Sequence, residues 1–161
     1  MTAGAPLRLI REEAVPMAEC PSCGARLALG TEGAAWSVSR PSDVGDRLIV
    51  QLGALEREEL WVLHLNAKNV VVGQERVYQG NVSASLVRVG ELFTGAVRKC
   101  VPRIIIAHNH PSGDPSPSPD DLHLTAEAIA AGRLLDIEVL DHLVIGATTF
   151  ISLRDRGVVF R

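Results

Sequence analysis

Two histidines and one aspartate lie close together in a single stretch of this chain. His108 and His110 follow an apolar, β-branched run at 103–107, and Asp121 comes after a loop rich in proline and glycine. Side chains of a strand alternate between its two faces, so both imidazoles leave the same face and can share one cation. Two imidazoles and one carboxylate leave a fourth tetrahedral position for water, which is typical of a catalytic zinc site.

The same stretch also has a purely structural interpretation. Ser118, Pro119 and Asp121 fit a capping box, with serine at the N-cap, proline at the first helical position and an acid at the third. On that interpretation these residues only begin a helix, and the histidines are polar loop residues. Capping does not explain why a buried strand delivers two imidazoles into the loop, so the combination favours a metal site.

Hydrophobic periodicity predicts the elements that must position these residues. The order of helices and strands predicts an α/β domain with a mixed β-sheet flanked by helices. The run at 103–107 is typical of a central strand, and open α/β sheets place their sites beyond the carboxyl ends of such strands. Helical spacing covers 44–55, 87–99 and 122–135, and strand patterns cover 60–65, 70–73, 75–80, 103–107, 137–145 and 148–153.

The composition limits the classes of function. The chain has 161 residues and a formal net charge of −3, which does not favour binding to nucleic acid through its phosphates. No apolar run approaches the length of a membrane span, and the first residues lack the pattern of a signal peptide. We therefore expect a cytoplasmic protein that contacts no membrane, and the oligomeric state stays open.

The residues around the histidines resemble the motif of the JAMM (JAB/MPN-type) metalloproteases. His108-x-His110-Pro111, then six residues, Ser118, two residues and Asp121 match that motif at every defined position. The resemblance implies a cytidine-deaminase-like α/β fold with Zn²⁺ held by the two histidines and the aspartate. It also implies that Ser118 helps to stabilise a tetrahedral intermediate.

The neighbouring residues are similar to the RadC-like branch of that class. The segments His-Asn-His-Pro-Ser-Gly-Asp-Pro at 108–115 and Leu-Asp-His-Leu-Val-Ile-Gly at 140–146 carry this likeness, which covers roughly residues 42–157. The resemblance implies hydrolysis of a peptide or isopeptide bond in a protein or peptide substrate, including a ubiquitin-like conjugate.

Such a site also needs a general base, which in JAMM enzymes is a glutamate at the beginning of an upstream strand. Glu58 and Glu59 precede the strand-like run at 60–65, and Glu58 resembles the family glutamate best. A shift of one residue would point Glu59 to the opposite face. Glu75 is the next candidate, and all three acids also fit as solvated residues at strand edges.

Residues 1–41 differ from residues 42–161, which we identify with the RadC-like JAMM/MPN domain. The first segment shows no clear apolar period and contains Cys20-Pro-Ser-Cys23, which resembles one half of a zinc ribbon. A structural zinc site needs four ligands, so a second chain or Cys100 would have to complete it. Unligated or reactive thiols are the alternative interpretation of the pair.

The other histidines have simpler interpretations. His64 and His123 are predicted to be exposed or half-buried. His142 follows Asp141 in a predicted strand, where a packed, hydrogen-bonded role is favoured over that of a ligand.

Two other functions remain open at this point. RadC-like proteins are traditionally labelled DNA-repair proteins, so an accessory role on nucleic acid is one alternative. Longer members carry a helix-hairpin-helix module, which residues 1–41 do not resemble. A non-catalytic scaffold with a misplaced glutamate is the other alternative.

Overall fold

The computed structural model describes residues 8–12, 15–19, 26–28, 36–80 and 87–160. The chain divides into two compact units, Met1–Ala35 and Trp36–Arg161, whereas the sequence predicted a boundary after residue 41. The second unit begins earlier because Ser37 forms a β-bridge with Val70, and the N–H of Val38 donates to the backbone carbonyl of Asn69. Cys20 and Cys23 lie outside the described residues.

The first unit contains a small antiparallel sheet. Its strands are β1 (Arg8–Glu12), β2 (Val15–Glu19) and β3 (Arg26–Ala28), in the order β1-β2-β3. The sequence predicted no element here, because the apolar residues of this segment follow no clear period.

The second unit is a mixed five-stranded sheet with three helices, as the sequence predicted. The strand order is β5-β4-β6-β7-β8, and β6 and β7 are the one parallel pair among these neighbours. The helices are α1 (Pro41–Leu52), α2 (Val89–Lys99) and α3 (Pro119–Leu135), and the strands are β4 (Glu59–Leu65), β5 (Val71–Gln79), β6 (Arg103–Asn109), β7 (Glu138–Ile145) and β8 (Phe150–Ser152).

The sheet separates two hydrophobic cores. Helix α1 buries Val44, Leu48 and Leu52 against one face of the sheet, and α2 and α3 bury their apolar residues against the other. Helix α3 connects the parallel strands β6 and β7, so its first turn stands beside the carboxyl end of β6. Among the described residues, no helix combines the length and the apolar character that crossing a membrane requires.

The prediction of two separate strands at 70–73 and 75–80 was wrong. Residues 71–79 form the single strand β5, and Gly73 lies inside it opposite His64. A Cβ atom on Gly73 would stand 3.3 Å from the Lys99 side chain, so glycine here marks a close approach and not the end of a strand.

His64 was predicted to be exposed or half-buried, and this was also wrong. Its imidazole is completely buried, and neither ring nitrogen has a hydrogen-bond partner among the described residues. Glu75 approaches its Nε2 atom only to 3.4 Å. Burial lowers the pKa of His64, the charge of Lys99 lowers it further, and Glu75 opposes both. The folded chain therefore favours the neutral imidazole.

A neutral buried histidine makes stability depend on pH. As the pH falls through about 6.5, the unfolded chain takes up a proton that the folded chain resists, so the free energy of unfolding decreases. Between about pH 7 and pH 5, we expect this decrease to be about 1–2 kcal/mol larger in the wild type than in His64→Leu.

Urea unfolding at the two pH values measures this difference. His123→Leu is the matched control, because its imidazole is largely exposed on α3 and solvent already surrounds it in the folded chain. If the free energy of unfolding depends on pH equally in the wild type and in His64→Leu, His64 is not held neutral in the folded chain.

Candidate metal centre

Strand β6 delivers the first histidine from the interior of the sheet. β6 lies between β4 and β7 and extends to Asn109, two residues beyond the predicted run at 103–107. His108 is paired with Leu60 on one side and Val144 on the other, and it has no exposed surface. A central strand with neighbours on both sides fixes the backbone of His108, and so restricts where its ring can lie.

Three side chains converge just beyond the end of β6. The Nε2 atoms of His108 and His110 are 3.0 Å apart. Asp121, in the first turn of α3, places Oδ1 at 3.1 Å from Nε2 of His108 and Oδ2 at 3.5 Å from Nε2 of His110. The structure thus brings together the two imidazoles and the carboxylate that the spacing of the sequence placed around one cation.

The Asp121 carboxylate serves the helix and the cluster at the same time. Its Oδ2 atom accepts hydrogen bonds from the Ser118 amide at 2.6 Å and the Ser118 hydroxyl at 2.7 Å. The hydroxyl in turn accepts from the Asp121 amide, which completes a capping box at the start of α3. Since Oδ2 is held by the cap, Oδ1 is directed at His108, so the capping and metal-ligand interpretations of this residue are compatible.

The electrostatics of the cluster favour an ionised carboxylate. Burial raises the pKa of Asp121, but hydrogen bonds with His108 and His110 outweigh burial and hold that pKa well below its usual range. The hydrogen bond with Asp121 raises the pKa of His110, while burial opposes this. An anionic oxygen beside two imidazoles is a donor set that attracts a divalent cation.

The loop that follows β6 orients the second imidazole. His110 places Nδ1 at 2.9 Å from the backbone carbonyl of Asp114. A carbonyl has no hydrogen to donate, so Nδ1 carries a hydrogen. Nε2 can therefore donate to Asp121 while the ring is charged, and it offers its lone pair to a cation once the ring is neutral. The loop packs closely on the turn after β7. A Cβ atom on Gly146 in that turn would lie only 2.4 Å from the Gly113 carbonyl oxygen of the loop.

The spacing between these three side chains suits zinc. Nitrogen and oxygen ligands at zinc distances in a tetrahedron would be about 3.3 Å apart. The separations are of that size: 3.0 Å between the two Nε2 atoms, 3.1 Å from Nε2 of His108 to Oδ1 of Asp121, and 3.5 Å from Nε2 of His110 to Oδ2. His108, His110 and Asp121 therefore fit one face of a tetrahedral site and leave the fourth position open.

Glu58 belongs to the same cluster. One potential ligand atom from each of Glu58, His108, His110 and Asp121 lies within 4.8 Å of all the others. Glu58 immediately precedes β4 and is half-buried. The structure thus places the glutamate that the family motif requires beside the three candidate ligands.

The two other glutamates lie elsewhere. Glu59 is buried, and its carboxylate accepts hydrogen bonds from Arg76 at 2.8 Å and from the Trp61 indole at 2.9 Å. Glu75 lies in β5 beside His64. Their contacts assign Glu59 and Glu75 to the packing of β4 and β5.

Asn109 ties the end of β6 to the backbone around Glu58. Its side-chain oxygen accepts from the Glu59 amide at 2.9 Å, and its side-chain nitrogen donates to the Arg57 carbonyl at 3.0 Å. The amide of Gly80 also donates to the Glu58 carbonyl. The backbone on both sides of Glu58 is therefore fastened to the strand that carries His108.

Comparison with known proteins agrees with the family likeness of the motif. Residues 38–158 match the family model described as the RadC-like JAB domain. That match covers most of the chain. The chain belongs to the RadC-like JAB domain family.

Relatives of this RadC-like JAB domain occur in several bacteria. A UPF0758 protein of Roseiflexus castenholzii is 45% identical over 137 residues, which cover 85% of this chain and 59% of that protein. One of Clostridium perfringens is 41% identical over 122 residues, which cover 76% of this chain and 54% of that protein. The chain thus spans somewhat more than half the length of these two relatives.

A third relative bears on the first segment of the chain. A UPF0758 protein of Moorella thermoacetica is 40% identical over 163 aligned positions, which cover 98% of this chain and 71% of that protein. This alignment must include most of residues 1–41. The segment that looked unlike the family therefore has a counterpart in at least one member.

Two residues at the RadC-like site were missed as functional candidates. His142 was expected to be a packed, hydrogen-bonded residue, and it is, but its Nε2 lies 2.9 Å from Nδ1 of the candidate ligand His108. Burial lowers the pKa of His142 well below its usual value. Asn109 was passed over between the two histidines. Strand alternation points the Asn109 side chain away from the two histidines. That alternation could have indicated a role for Asn109 other than metal binding.

Removal of the Asn109 side chain tests how much its two hydrogen bonds to the backbone on either side of Glu58 stabilise the fold. Asn109→Ala leaves the buried Glu59 amide and the partly buried Arg57 carbonyl unsatisfied, and a buried unsatisfied group costs about 1–3 kcal/mol. We expect the free energy of unfolding to fall by about 2–4 kcal/mol, as measured by urea denaturation.

Gln74→Ala is the control, because the Gln74 amide makes an exposed hydrogen bond to Gln51. Its effect should stay within about 0.5 kcal/mol. An Asn109→Ala variant as stable as this control would show that solvent replaces both hydrogen bonds.

Proposed function

We propose that this RadC-like JAB domain is a zinc-dependent hydrolase of peptide or isopeptide bonds. One observation carries the proposal: two imidazoles, one carboxylate and a second, half-buried carboxylate converge at the end of a central strand. The ligand set with an open fourth position is that of catalytic zinc sites, whereas structural sites use four protein ligands. The names of the relatives state no activity, so the proposal rests on the chemistry of the site.

His108, His110 and Asp121 are the residues that would hold the zinc ion. When bound, zinc supplies Lewis acidity, which polarises a substrate oxygen and makes a water molecule more acidic. The chain itself positions the ligand side chains. The capping box fixes Asp121, and the Asp114 carbonyl fixes the ring of His110. These contacts keep the ligand atoms in place, so little reorganisation is needed during the reaction.

Glu58 supplies the acid–base chemistry that amide hydrolysis requires. A glutamate at this position accepts a proton from the attacking water and returns it to the leaving amine. An amide needs this second step, because an amine leaves poorly without a proton. Glu58 lies close enough to the cluster for one water molecule to contact both, since its ligand atom is within 4.8 Å of the others.

Ser118 is proposed to assist at the oxyanion, as the family resemblance implies. In this structure its hydroxyl hydrogen is directed at Asp121, 2.7 Å away. The Ser118 side chain would therefore have to release that hydrogen bond to reach a substrate. Its position next to a ligand also orients the carboxylate, which is a contribution that needs no such release.

The substrate is proposed to be a protein or peptide, with a ubiquitin-like conjugate as one example. A zinc ion and a glutamate suffice for the carbonyl chemistry of either a peptide or an isopeptide bond. Because the chain spans only part of several relatives, the substrates of the longer proteins are proposals as well. The accessory role on nucleic acid and the non-catalytic scaffold stay the competing predictions.

The Glu58→Gln variant separates the enzyme from the scaffold. We expect it to keep its zinc but to lose hydrolysis by about 10²–10⁴-fold, since glutamine cannot accept a proton. The assay uses a library of quenched-fluorescence peptides together with lysine-linked isopeptides, and zinc is measured in the same samples.

Glu59→Gln is the matched control, because it changes the adjacent acid, whose carboxylate binds Arg76 and Trp61. It should retain the wild-type rate of hydrolysis. Unchanged hydrolysis in Glu58→Gln would refute the role of Glu58, and a zinc-loaded wild type that cleaves neither class of substrate would favour the scaffold.

A further inference from the structure

Behind the candidate ligands lies a buried row of polar contacts that the proposed hydrolysis does not itself use. Nδ1 of His108 lies 2.9 Å from Nε2 of His142, and Nδ1 of His142 lies 2.6 Å from Oγ1 of Thr125. The Thr125 hydroxyl is 2.5 Å from the backbone carbonyl of Asp121. His108, His142 and Thr125 have no exposed surface. The row therefore begins at one candidate ligand and ends at the backbone of another.

The carbonyl at the end of this row determines where every hydrogen lies. The Asp121 carbonyl can only accept, so the single hydrogen of the Thr125 hydroxyl must point at it. The contact between Thr125 and His142 then needs a hydrogen on Nδ1 of His142. A neutral His142 consequently accepts at Nε2, and the remaining hydrogen belongs to Nδ1 of His108.

This arrangement of hydrogens leaves the lone pair of His108 on Nε2, which faces the other candidate ligands. With its hydrogen on Nδ1, the neutral His108 ring carries its lone pair on Nε2, the atom that lies 3.1 Å from Asp121 and 3.0 Å from His110. A cation there takes the place of the hydrogen that Nε2 donates to Asp121 when the ring is charged. The opposite tautomer would leave Nδ1 of His108 and Nε2 of His142 facing each other without a hydrogen. That arrangement is costly in a buried site, where neither nitrogen can turn to water.

We propose that Thr125 and His142 are positioning residues that hold His108 in the tautomer and orientation required for metal binding. The inference rests on the proposed zinc site and adds to it two residues outside the ligand set. The row also links three elements, since β6 carries His108, β7 carries His142, and α3 carries Thr125 and Asp121. It therefore couples the separation of the ligands to the packing of α3 on the sheet.

A role in packing alone gives a different expectation. If His142 and Thr125 only satisfied each other in the core, their substitution would lower stability and leave the metal affinity of the folded chain unchanged. If they position His108, metal affinity falls, and a substitution that preserves the hydrogen bonds restores it. The loss of such outer contacts typically weakens metal binding by about 10–100-fold.

Thr125→Val is the decisive variant because it keeps the shape of the side chain and removes the hydroxyl. Its matched control is Thr94→Val, since Thr94 makes the same type of hydroxyl bond to the carbonyl four residues earlier, but on an exposed part of α2. Thr125→Ser restores the hydroxyl. His142→Gln offers an acceptor to His108, whereas His142→Leu offers none.

The measurements are zinc affinity, by competition with a chromophoric chelator, and the visible absorption spectrum of the chain loaded with Co²⁺. We expect about 10–100-fold weaker zinc binding and an altered cobalt spectrum in Thr125→Val and His142→Leu. Thr125→Ser and His142→Gln should recover most of the affinity, and Thr94→Val should match the wild type. Thermal unfolding of each variant reports the loss of stability separately.

Two results would overturn the inference in different ways. Wild-type zinc affinity and an unchanged cobalt spectrum in Thr125→Val, together with reduced stability, would assign the row to packing alone. A wild type that binds neither Zn²⁺ nor Co²⁺ would instead overturn the proposed metal site, and the inference with it. If His142→Leu does not fold, Thr125→Val and its serine counterpart still decide between the two roles.

Discussion

The close approach of two imidazoles and one carboxylate is the interaction on which the rest of the second unit depends. The separations of 3.0–3.5 Å between these groups place three electron-pair donors at one point. His108 comes from a central strand, His110 from the loop directly after it, and the aspartate from the helix that follows. The sheet fixes His108, the Asp114 carbonyl orients His110, and the cap of the helix fixes Asp121, so the fold holds in place a cluster that favours a cation.

The capping box shows how one residue satisfies two requirements. One carboxylate oxygen of Asp121 accepts a hydrogen bond from the Ser118 amide at the start of α3, and the other faces His108. The structural and the metal-binding interpretations of the sequence were therefore never exclusive. A helix end needs an acceptor, and a cation needs an anionic oxygen, so placing the site at a helix start allows one side chain to supply both.

Much of this arrangement could be predicted because it depends on short distances along the chain. The spacing of His108 and His110 follows from strand alternation, and the position of Asp121 follows from the pattern of a helix start. The order of elements was also sufficient for the mixed sheet. These features are local, or they are repeated along the chain often enough to be recognised.

Other features depend on register between distant strands, which a single sequence does not contain. The pairing of β6 with β7 brings His142 to His108, and the pairing of β6 with β4 brings Asn109 to the backbone around Glu58. His64 is buried because α2 covers it at Gly95, where a Cβ atom would stand 2.6 Å from the imidazole. Each of these contacts joins residues from separate elements, so local patterns could not reveal it.

The measurement that tests the central claim most directly is the zinc content per chain, by elemental analysis, of the wild type and of His108→Ala/His110→Ala. Both are purified without chelators and with zinc supplied, and circular dichroism confirms that the double variant is folded. The account predicts that the wild type carries zinc and that the double variant carries one zinc fewer per chain. A wild type without zinc, or a folded double variant with the same content as the wild type, would contradict it.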